Sequence, residues 1–307
     1  MRRILGLIAA LAAVACEAQT SEDDDASIVT QEVSTATTRI CSWNVRRLGH
    51  DFDDRPKDIE VTATIIDTHC DVIAVQEVMQ KDGGATPGYV ALLEQLGADW
   101  GGVITEQPRP ASPSANSEHY AFYFRKSHAT LCRGWKAART IADEEDAFLR
   151  EPAWTCLKLP GRKRDLLLVS YHAVYGSPIE RRREVGWLDD DLDHDGKADD
   201  VLRGIRASRS SEADVMIVGD FNLGSSELAE ALPRFVDLAD GKGSTLNLRD
   251  EITDNLFDHV IVPADDAAGL GATRAEVLDV RKYMKGDTFF RSVSDHLPVR
   301  FQLAPSE

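Results

Sequence analysis

The sequence of 307 residues lacks a surplus of positive charge, because 52 acidic residues against 35 basic ones give a formal net charge of −17. This deficit excludes a protein that binds a polyanion through its overall charge, so an anionic substrate needs a local basic patch, metal ions or both. Aromatic residues are also few, at 7%, but 43% of the residues are hydrophobic. That share excludes a disordered or fibrous chain and allows the core of one large domain or two small ones.

Long hydrophobic runs are missing as well, because no stretch reaches the roughly 18 apolar residues that a membrane-spanning helix requires. The run over residues 4–15 follows two arginines and ends in Ala-Val-Ala before Cys16, which is typical of a secretory signal with a lipoprotein cleavage box. We therefore predict a signal peptide over residues 1–16 with lipidation at Cys16. An ordinary signal peptide with an incidental Cys16 is the alternative. Residues 17–38 are acidic and rich in Ser and Thr, which predicts a flexible tether.

This N-terminus predicts an exported protein, lipid-anchored in a bacterial envelope or otherwise secreted or periplasmic, with membrane contact only through the anchor. An oxidising compartment permits disulfides among the four remaining cysteines, Cys41, Cys70, Cys132 and Cys156. Three pairings are open. Cys132 and Cys156 lie in successive strand-like runs, which favours that pair, and buried free thiols are the alternative.

Residues 39–307 predict one α/β domain, since strand-like runs alternate with helical periodicity and neither a repeat nor an interdomain linker interrupts them. Helices are predicted over 59–68 and over 225–232, the second with Ser225 as its cap. The strand-like runs cover residues 39–45, 71–78, 120–125, 153–159, 166–172, 215–220, 259–262 and 298–303.

Polar residues end or border several of these strands, where a core would select apolar ones. One such residue alone is usually a turn former or a structural histidine. Six clusters that together offer carboxylates, amides and two imidazoles predict a shared rim with a site for a hard divalent cation. The clusters are Ser42-Trp43-Asn44, Gln76-Glu77, Tyr171-His172, Gly219-Asp220-Phe221-Asn222, Phe257-Asp258 and Ser294-Asp295-His296-Leu297-Pro298.

In this order, the six clusters resemble those of the endonuclease/exonuclease/phosphatase superfamily, and most closely its DNase I-like branch. The resemblance covers about residues 39–303. It implies a four-layer sandwich, in which two mixed β-sheets pack face to face with helices outside. It also implies that strand ends from both sheets converge on the active site.

The resemblance implies a catalytic set for phosphodiester hydrolysis, which needs a base for water, positive charge at the phosphoryl oxygens and help for the leaving oxygen. His296 resembles the general base, with Asp258 holding its tautomer. Asp220 and Asn222 would lie beside the scissile phosphate. His172 resembles the second histidine of the DNase I branch, which stabilises the phosphate or protonates the leaving group.

The same resemblance assigns Asn44 and Glu77 as oxygen ligands of Mg²⁺ or Mn²⁺, with Asp295 completing the metal environment directly or through water. It also marks Tyr123 and Arg125, as the Tyr-Arg end of a strand, and Arg150 as substrate-binding residues. Arg150 would contact a backbone phosphate, although an ordinary surface arginine is an equal alternative. The three arginines at 181–183 are interpreted as a solvated helix face.

One acidic segment lies outside this pattern and resembles the start of a calcium loop, with aspartates at alternate positions and Gly196 at the turn. It departs from that pattern at the twelfth position, where Leu202 stands in place of Glu. We predict a structural Ca²⁺ site here, with a solvated acidic loop as the alternative. The predicted ligands are Asp191, Asp193, Asp195, Lys197 and Asp199.

The sequence therefore predicts an exported, metal-dependent, DNase I-like endonuclease that acts on DNA as a monomer. One alternative is a phosphoesterase of the same fold that acts on a lipid or small phosphoester, as sphingomyelinases do. A further alternative is a non-catalytic, calcium-stabilised surface binding module. The choice between DNA and RNA, the sequence preference, the preferred metal and the biological role stay open at this point.

Overall fold

The computed structural model describes residues 37–50, 55–109, 117–143, 146–189, 200–208, 213–284 and 288–306. The strands are β1 (Thr38–Leu48), β2 (Val72–Met79), β3 (Trp100–Ile104), β4 (Glu118–Arg125), β5 (Thr130–Leu131), β6 (Arg139–Thr140), β7 (Ala153–Lys158), β8 (Asp165–His172), β9 (Ala213–Asp220), β10 (Phe235–Asp237), β11 (Ala239–Asp240), β12 (Asp258–Pro263), β13 (Ala275–Val277) and β14 (Val299–Leu303). The α-helices are α1 (Ile59–His69), α2 (Pro87–Leu96), α3 (Pro178–Gly186), α4 (Asp200–Ala207), α5 (Ser225–Ala231), α6 (Ala264–Ala267) and α7 (Phe289–Ser292). Short 3₁₀ helices cover Asp82–Gly84, Trp187–Asp189 and Arg281–Tyr283.

The eight strand-like runs of the sequence are confirmed as β1, β2, β4, β7, β8, β9, β12 and β14, with ends within three residues of the prediction. Helix α1 is also confirmed, and the Asp58 side chain caps it by accepting a 3.0 Å hydrogen bond from Val61 N. The predicted cap of α5 is wrong. Gly224, which has an extended backbone, is the N-cap, because the helix begins at Ser225.

The strands form two mixed sheets. The first has the order β11-β13-β14-β1-β2-β4-β3, and the second has the order β10-β12-β9-β8-β7-β5, with β6 also paired to β7. Each sheet has a parallel pair near its centre, β1 with β2 and β8 with β9. The strands that flank these pairs, β14 and β4 in the first sheet and β12 and β7 in the second, run antiparallel to them.

Apolar side chains from both sheets fill the space between them, with Ile40 and Phe122 from the first sheet and Leu168 and Val218 from the second fully buried there. Helices α1 and α2 pack on the outer face of the first sheet, and α3, α4 and α5 pack on the outer face of the second. The predicted architecture of two packed mixed sheets flanked by helices is therefore confirmed. Both faces of each sheet are covered, so the central strands are largely apolar instead of alternating between polar and apolar residues.

Two disulfides tie strands to their neighbours. Cys132–Cys156, the favoured pair, is present with its Cα atoms 5.4 Å apart, and Cys41–Cys70 joins β1 to the end of α1 with its Cα atoms 5.8 Å apart. The alternative of buried free thiols is therefore wrong. Over the described ranges, no helix combines the length and apolar character that crossing a membrane would require.

Several predicted features lie outside the described residues. They are the signal peptide with Cys16, residues 17–36 of the tether, and all five predicted calcium ligands, Asp191, Asp193, Asp195, Lys197 and Asp199. The signal, the lipid anchor and the calcium site therefore stay predictions.

Candidate active site

Strand direction brings the polar clusters to one end of the sandwich. The parallel strands β1 and β2 both finish there, as do β8 and β9 of the other sheet. Strands β4, β12 and β14 run antiparallel to them, so their first residues lie at the same end. In the ladders of the second sheet, Asp220 stands directly between His172 of β8 and Asp258 of β12.

The backbone at this end is in unusual conformations. Arg46, Arg47, Glu77 and Asn222 all have φ between 44° and 58°, and they are four of the six non-glycine residues with positive φ in the described ranges. Such angles cost about 1–3 kcal/mol each and persist only where the surroundings impose them, typically at functional sites. Gly219 has φ +148°, and a Cβ there would lie 1.8 Å from the carbonyl oxygen of Tyr171. Only glycine therefore lets β8 and β9 approach this closely next to Asp220.

His296 occupies one side of the site. Its Nδ1 lies 2.7 Å from Asp258 Oδ2, and its Nε2 lies 3.4 Å from Asp220 Oδ2. Ser294 Oγ accepts a hydrogen bond from His296 N, and Ser244 Oγ accepts one from Asp258 N, so both residues are fixed. Burial alone would lower the pKa of His296, but the carboxylates of Asp258 and Asp220 outweigh it and raise that pKa well above its ordinary value. The Asp258–His296 pair predicted from the sequence is therefore present.

His172 occupies the opposite side and has a carboxylate partner of its own. Its Nδ1 lies 2.6 Å from Glu118 Oε1, and its Nε2 lies 3.7 Å from Asp220 Oδ2. Burial favours the neutral ring, but the Glu118 carboxylate raises the pKa of His172 above its usual value. Arg150 forms an ion pair with the same Glu118 and donates a hydrogen bond to the Ala173 carbonyl, so Arg150 lies beside the site and supports its His172 side.

The Asp220 carboxylate is the centre of a chain of five side chains in contact, which we call the relay. Its order is Glu118–His172–Asp220–His296–Asp258. Burial raises the pKa of Asp220, but the two imidazoles outweigh burial and lower it below its usual value. Asn222 N donates to Asp220 Oδ1 at 3.0 Å, and the Asn222 amide donates to the Ala173 carbonyl. The structure thus places two imidazole Nε2 atoms on one buried carboxylate, each oriented through Nδ1 by an acidic residue.

Asn44 and Glu77 form the corner predicted to hold the metal. Asn44 Nδ2 donates to Glu77 Oε1 at 3.0 Å and to Asp220 Oδ2 at 3.1 Å. Glu77 Oε2 accepts a hydrogen bond from Arg47 N. Asp295, the third predicted metal residue, forms an ion pair with Arg46 at 3.3 Å. Asn44 and Glu77 are therefore brought together, and Asp295 borders the corner.

These residues fit a hard divalent cation. The ligand atoms of Glu77, Glu118 and His172 lie within 4.8 Å of one another, and the Asn44 amide nitrogen bridges two carboxylates that would otherwise repel each other. Asp258 Oδ1 is a buried acceptor without a hydrogen-bond partner among the described residues. Converging oxygen donors with excess negative charge are the environment that Mg²⁺ and Mn²⁺ prefer in proteins.

Lys57 adds a titratable amine near this corner, which the sequence did not suggest. Its Nζ donates a 2.6 Å hydrogen bond to the Val293 carbonyl, two residues before Asp295. Burial lowers the pKa of Lys57 to about 7, against the opposing attraction of the Asp295 and Glu77 carboxylates. A perturbed lysine of this kind is common at functional sites.

Tyr123 and Arg125 are not part of this cluster, so their assignment as substrate-binding residues is wrong. Strand β4 begins at the site with Glu118 and runs away from it. Tyr123 is fully buried and its hydroxyl donates to the Tyr89 carbonyl, while Arg125 pairs with Asp67 on the surface. The predicted strand is confirmed, but its first residue, Glu118, and not its last, Arg125, reaches the site.

Besides Lys57, sequence reasoning missed Glu118 and Arg181. Glu118 is the first residue of β4, before the aromatic residues of that strand, and its side chain is buried. A carboxylate is rarely buried unless it pairs with a cation or a hydrogen-bond donor. Arg181, set aside with its two neighbours as a solvated helix face, donates a 2.7 Å hydrogen bond from Nη1 to the Asn222 carbonyl. The Ser177-Pro178 sequence indicates where α3 begins, but it does not indicate which face of the helix Arg181 occupies.

Comparison with solved structures shows the same fold in proteins of low identity. A Bacteroides thetaiotaomicron mannosyl-6-phosphatase has a TM-score of 0.56 at 16% identity, covering 87% of this chain and 99% of that one. D. rerio TDP2, complexed with a single-strand DNA product, has a TM-score of 0.57 at 16% identity, covering 87% and 99%. The human nocturnin catalytic domain has a TM-score of 0.56 at 15% identity, covering 87% and 94%.

A model of one protein family matches most of the chain, although no curated protein matches it. The match extends over residues 41–296, from the first strand to the histidine paired with Asp258, and the family is described as the Endonuclease/Exonuclease/phosphatase family. Its members are metal-dependent phosphoesterases. The DNase I-like sandwich and the convergence of Asn44, Glu77, Asp220 and His296 agree with that match. The chain therefore belongs to the Endonuclease/Exonuclease/phosphatase family.

Proposed function

We propose that this protein is an exported, divalent-metal-dependent phosphodiesterase that hydrolyses DNA. The observation that carries the proposal is the arrangement of two imidazoles around Asp220, each oriented through its Nδ1 by a carboxylate. A phosphodiester needs both a base for the attacking water and an acid for the departing sugar oxygen. Two oriented histidines on opposite sides of one anionic centre suit that demand.

In this proposal, His296 takes the proton from the attacking water at Nε2, since Asp258 holds the proton on Nδ1 and stabilises the imidazolium that forms. His172, whose imidazolium Glu118 stabilises, gives a proton to the leaving 3′ oxygen. Asn222 and Asp220 position the phosphate and the water between the rings of His172 and His296. Cleavage would leave a 5′-phosphate.

Asn44 and Glu77 would hold the metal, with Asp295 close to them. A divalent cation there supplies positive charge that offsets the anionic phosphate and polarises its oxygens. The same charge would lower the pKa of His296, which its two carboxylate neighbours raise, and so favour the neutral ring that a base requires. A net charge of −17 makes this local source of positive charge necessary for a polyanionic substrate.

The two disulfides support the proposal of export, because such bonds persist in oxidising compartments. We propose a lipid anchor at Cys16, an additional structural Ca²⁺ in the acidic segment and a monomeric state on the sequence pattern alone.

Digestion of plasmid DNA tests the function. With Mg²⁺ or Mn²⁺ the purified protein is expected to nick and then degrade plasmid, and His296→Ala is expected to lose at least a hundredfold of that rate. Asp266→Asn, which alters a surface ion pair with Arg206, is the matched control and keeps wild-type activity. Activity that survives EDTA, or that His296→Ala leaves unchanged, would contradict the mechanism.

The second candidate is a phosphoesterase acting on a lipid or small phosphoester. A mannosyl-6-phosphatase has the same fold, which supports a small phosphoester as the alternative substrate. Parallel assays on DNA, sphingomyelin vesicles and sugar phosphates separate the two, and turnover of a small phosphoester at a kcat/KM well above that for DNA would replace the leading proposal.

A further inference from the structure

The rim beside His172 carries the two most exposed large hydrophobic side chains in the described ranges. Tyr175 is 79% exposed and Ile179 is 71% exposed. Both follow β8 directly, in the loop and first turn of α3. Single exposed apolar residues are common, but two this prominent within seven residues of a catalytic histidine call for a functional explanation.

The loop that carries Tyr175 is rigidly held. The carbonyl of Ala173 accepts a hydrogen bond from the Asn222 amide, and Val174 N donates to the buried carboxylate of Glu184. On the other side, Ser177 caps α3 in a reciprocal arrangement with Glu180. The Tyr175 ring is therefore presented to solvent from an ordered backbone, so a ligand that stacks on it costs little conformational entropy.

Arg181 connects this ring to the catalytic centre. Its guanidinium carbon lies 5.8 Å from the centre of the Tyr175 ring and 5.9 Å from that of Phe257, the residue before Asp258. Its Nη1 donates to the Asn222 carbonyl, and its Nε is a buried donor without a partner among the described residues. The Arg181 guanidinium is thus fixed between two aromatic rings at the edge of the proposed phosphate position. Its Nε can still donate a hydrogen bond to a ligand.

We propose that Tyr175, supported by Arg181, is the stacking platform for the nucleobase next to the scissile phosphate. This inference rests on the proposed function and adds the part of the substrate that the site would recognise. A nucleobase offers a planar π-face joined to the phosphate through one sugar, and stacking of this kind on an aromatic side chain tolerates any sequence. The arginine beside the ring strengthens the contact and attracts the neighbouring phosphate.

A lipid surface is the competing occupant of an exposed Tyr and Ile. The arginine between two rings favours the base, because an acyl chain gains nothing from a cation. Lipid binding is therefore an outcome of the test and not part of the proposal.

The test uses two single-stranded oligonucleotides that each contain one cleavable phosphodiester among non-hydrolysable linkages. One carries ordinary bases, and the other carries abasic tetrahydrofuran residues on both sides of the cleavable bond. Wild-type protein with Mg²⁺ or Mn²⁺ is expected to prefer the base-bearing substrate roughly 5- to 150-fold in kcat/KM, the range that corresponds to stacking one base. Tyr175→Ala is expected to reduce this preference to below about twofold, and Tyr175→Phe to retain it.

Val90→Ala is the matched control, since Val90 is an exposed apolar residue on α2 and has no part in the proposed site, and it keeps the wild-type preference. Equal hydrolysis of both substrates by the wild type would overturn the stacking platform and leave the phosphodiesterase intact. Hydrolysis of neither would overturn both. If Tyr175→Ala kept the full preference but lost binding to sphingomyelin vesicles, the rim would be a lipid contact and the nucleobase proposal would be wrong.

Discussion

Glu118 Oε1 lies 2.6 Å from His172 Nδ1, and both side chains are buried. The pair mirrors Asp258 and His296 across the Asp220 carboxylate. In the proposed mechanism, these two carboxylate–imidazole pairs that face one anion serve as an acid and a base of the same construction. Ser294 Oγ donates to the Asn44 carbonyl on the Asp258–His296 side, and the ligand atoms of Glu118 and His172 lie within 4.8 Å of that of Glu77 on the other, so both pairs border the metal corner.

Glu118→Gln is expected to lower kcat for DNA about 10- to 100-fold with a smaller change in KM. The amide keeps the shape but removes the charge that raises the pKa of His172. The protonated ring is then lost at a lower pH, so the alkaline limb of the kcat profile is expected to move to lower pH. A pH series of initial rates measures both effects.

Glu151→Gln is the control for this prediction, since Glu151 pairs with Arg109 outside the relay. It is expected to keep the wild-type pH profile. A Glu118→Gln enzyme that lost activity but retained the wild-type alkaline limb would show that Glu118 only supports the fold.

Asp258→Asn is expected to lower kcat about 10³- to 10⁴-fold, because an amide no longer fixes the proton on His296 Nδ1 or stabilises the imidazolium. Thermal unfolding of the same preparation checks that the variant is folded. The surface variant Asp266→Asn accompanies it as the control. Activity within a few-fold of wild type would remove Asp258 from its proposed role.

Most of the site could be predicted because its residues lie at or near strand ends. His172 and Asp220 are the last residues of β8 and β9, and Asn44 and Glu77 lie within four residues of the ends of β1 and β2. Parallel pairing then brings them to one edge. The order of the clusters supplied the rest through resemblance to a family. Local pattern and tertiary arrangement agree at these positions.

Glu118 and Arg181 could not be predicted. The role of Glu118 depends on the direction in which β4 runs, and that of Arg181 depends on which face of α3 packs against the site. Strand β4 is antiparallel to β2, and nothing in its own residues says that its first residue, and not its last, meets the site. Arg181 is the fourth residue of α3, and its position against Asn222 is set by the capping of that helix and by its packing on the second sheet. Both properties arise from tertiary contacts that periodicity does not encode.

Replacing the disulfide Cys132–Cys156 with two serines is expected to lower the free energy of unfolding by about 3 kcal/mol, because the unfolded chain regains the conformational entropy that closing a loop of this length removes. The cysteines are 24 residues apart, and those of Cys41–Cys70 are 29 apart, so the second pair of serines is expected to cost nearly as much. Denaturant unfolding under oxidising conditions measures both. Wild-type stability that a reductant does not change would contradict a role for either bond.

Salt is expected to inhibit cleavage of DNA strongly and cleavage of a small chromogenic phosphodiester only weakly. The whole chain is acidic, so DNA must be held by local groups such as Arg150 and Arg181 together with metal ions, and added salt screens those contacts. Initial rates between about 50 and 200 mM salt are expected to show a rising KM for DNA. Equal inhibition of both substrates would instead indicate an effect of salt on the metal or on folding.

His259 is expected to make stability depend on pH, because its buried ring contacts two acceptors, Asp237 Oδ2 and the Leu223 carbonyl, each at 2.8 Å. Both nitrogens must therefore carry protons. Burial lowers the pKa of His259, but Asp237 outweighs it and raises that pKa above the ordinary value. A raised folded-state pKa adds stability that is complete below about pH 6.5, the unfolded value, and is lost as pH rises through the folded pKa.

Unfolding in EDTA from about pH 5.5 to 9 is expected to show wild type most stable relative to His259→Gln at low pH, with the difference in unfolding free energy narrowing as pH rises. Two parallel curves would show that the ring stays neutral throughout.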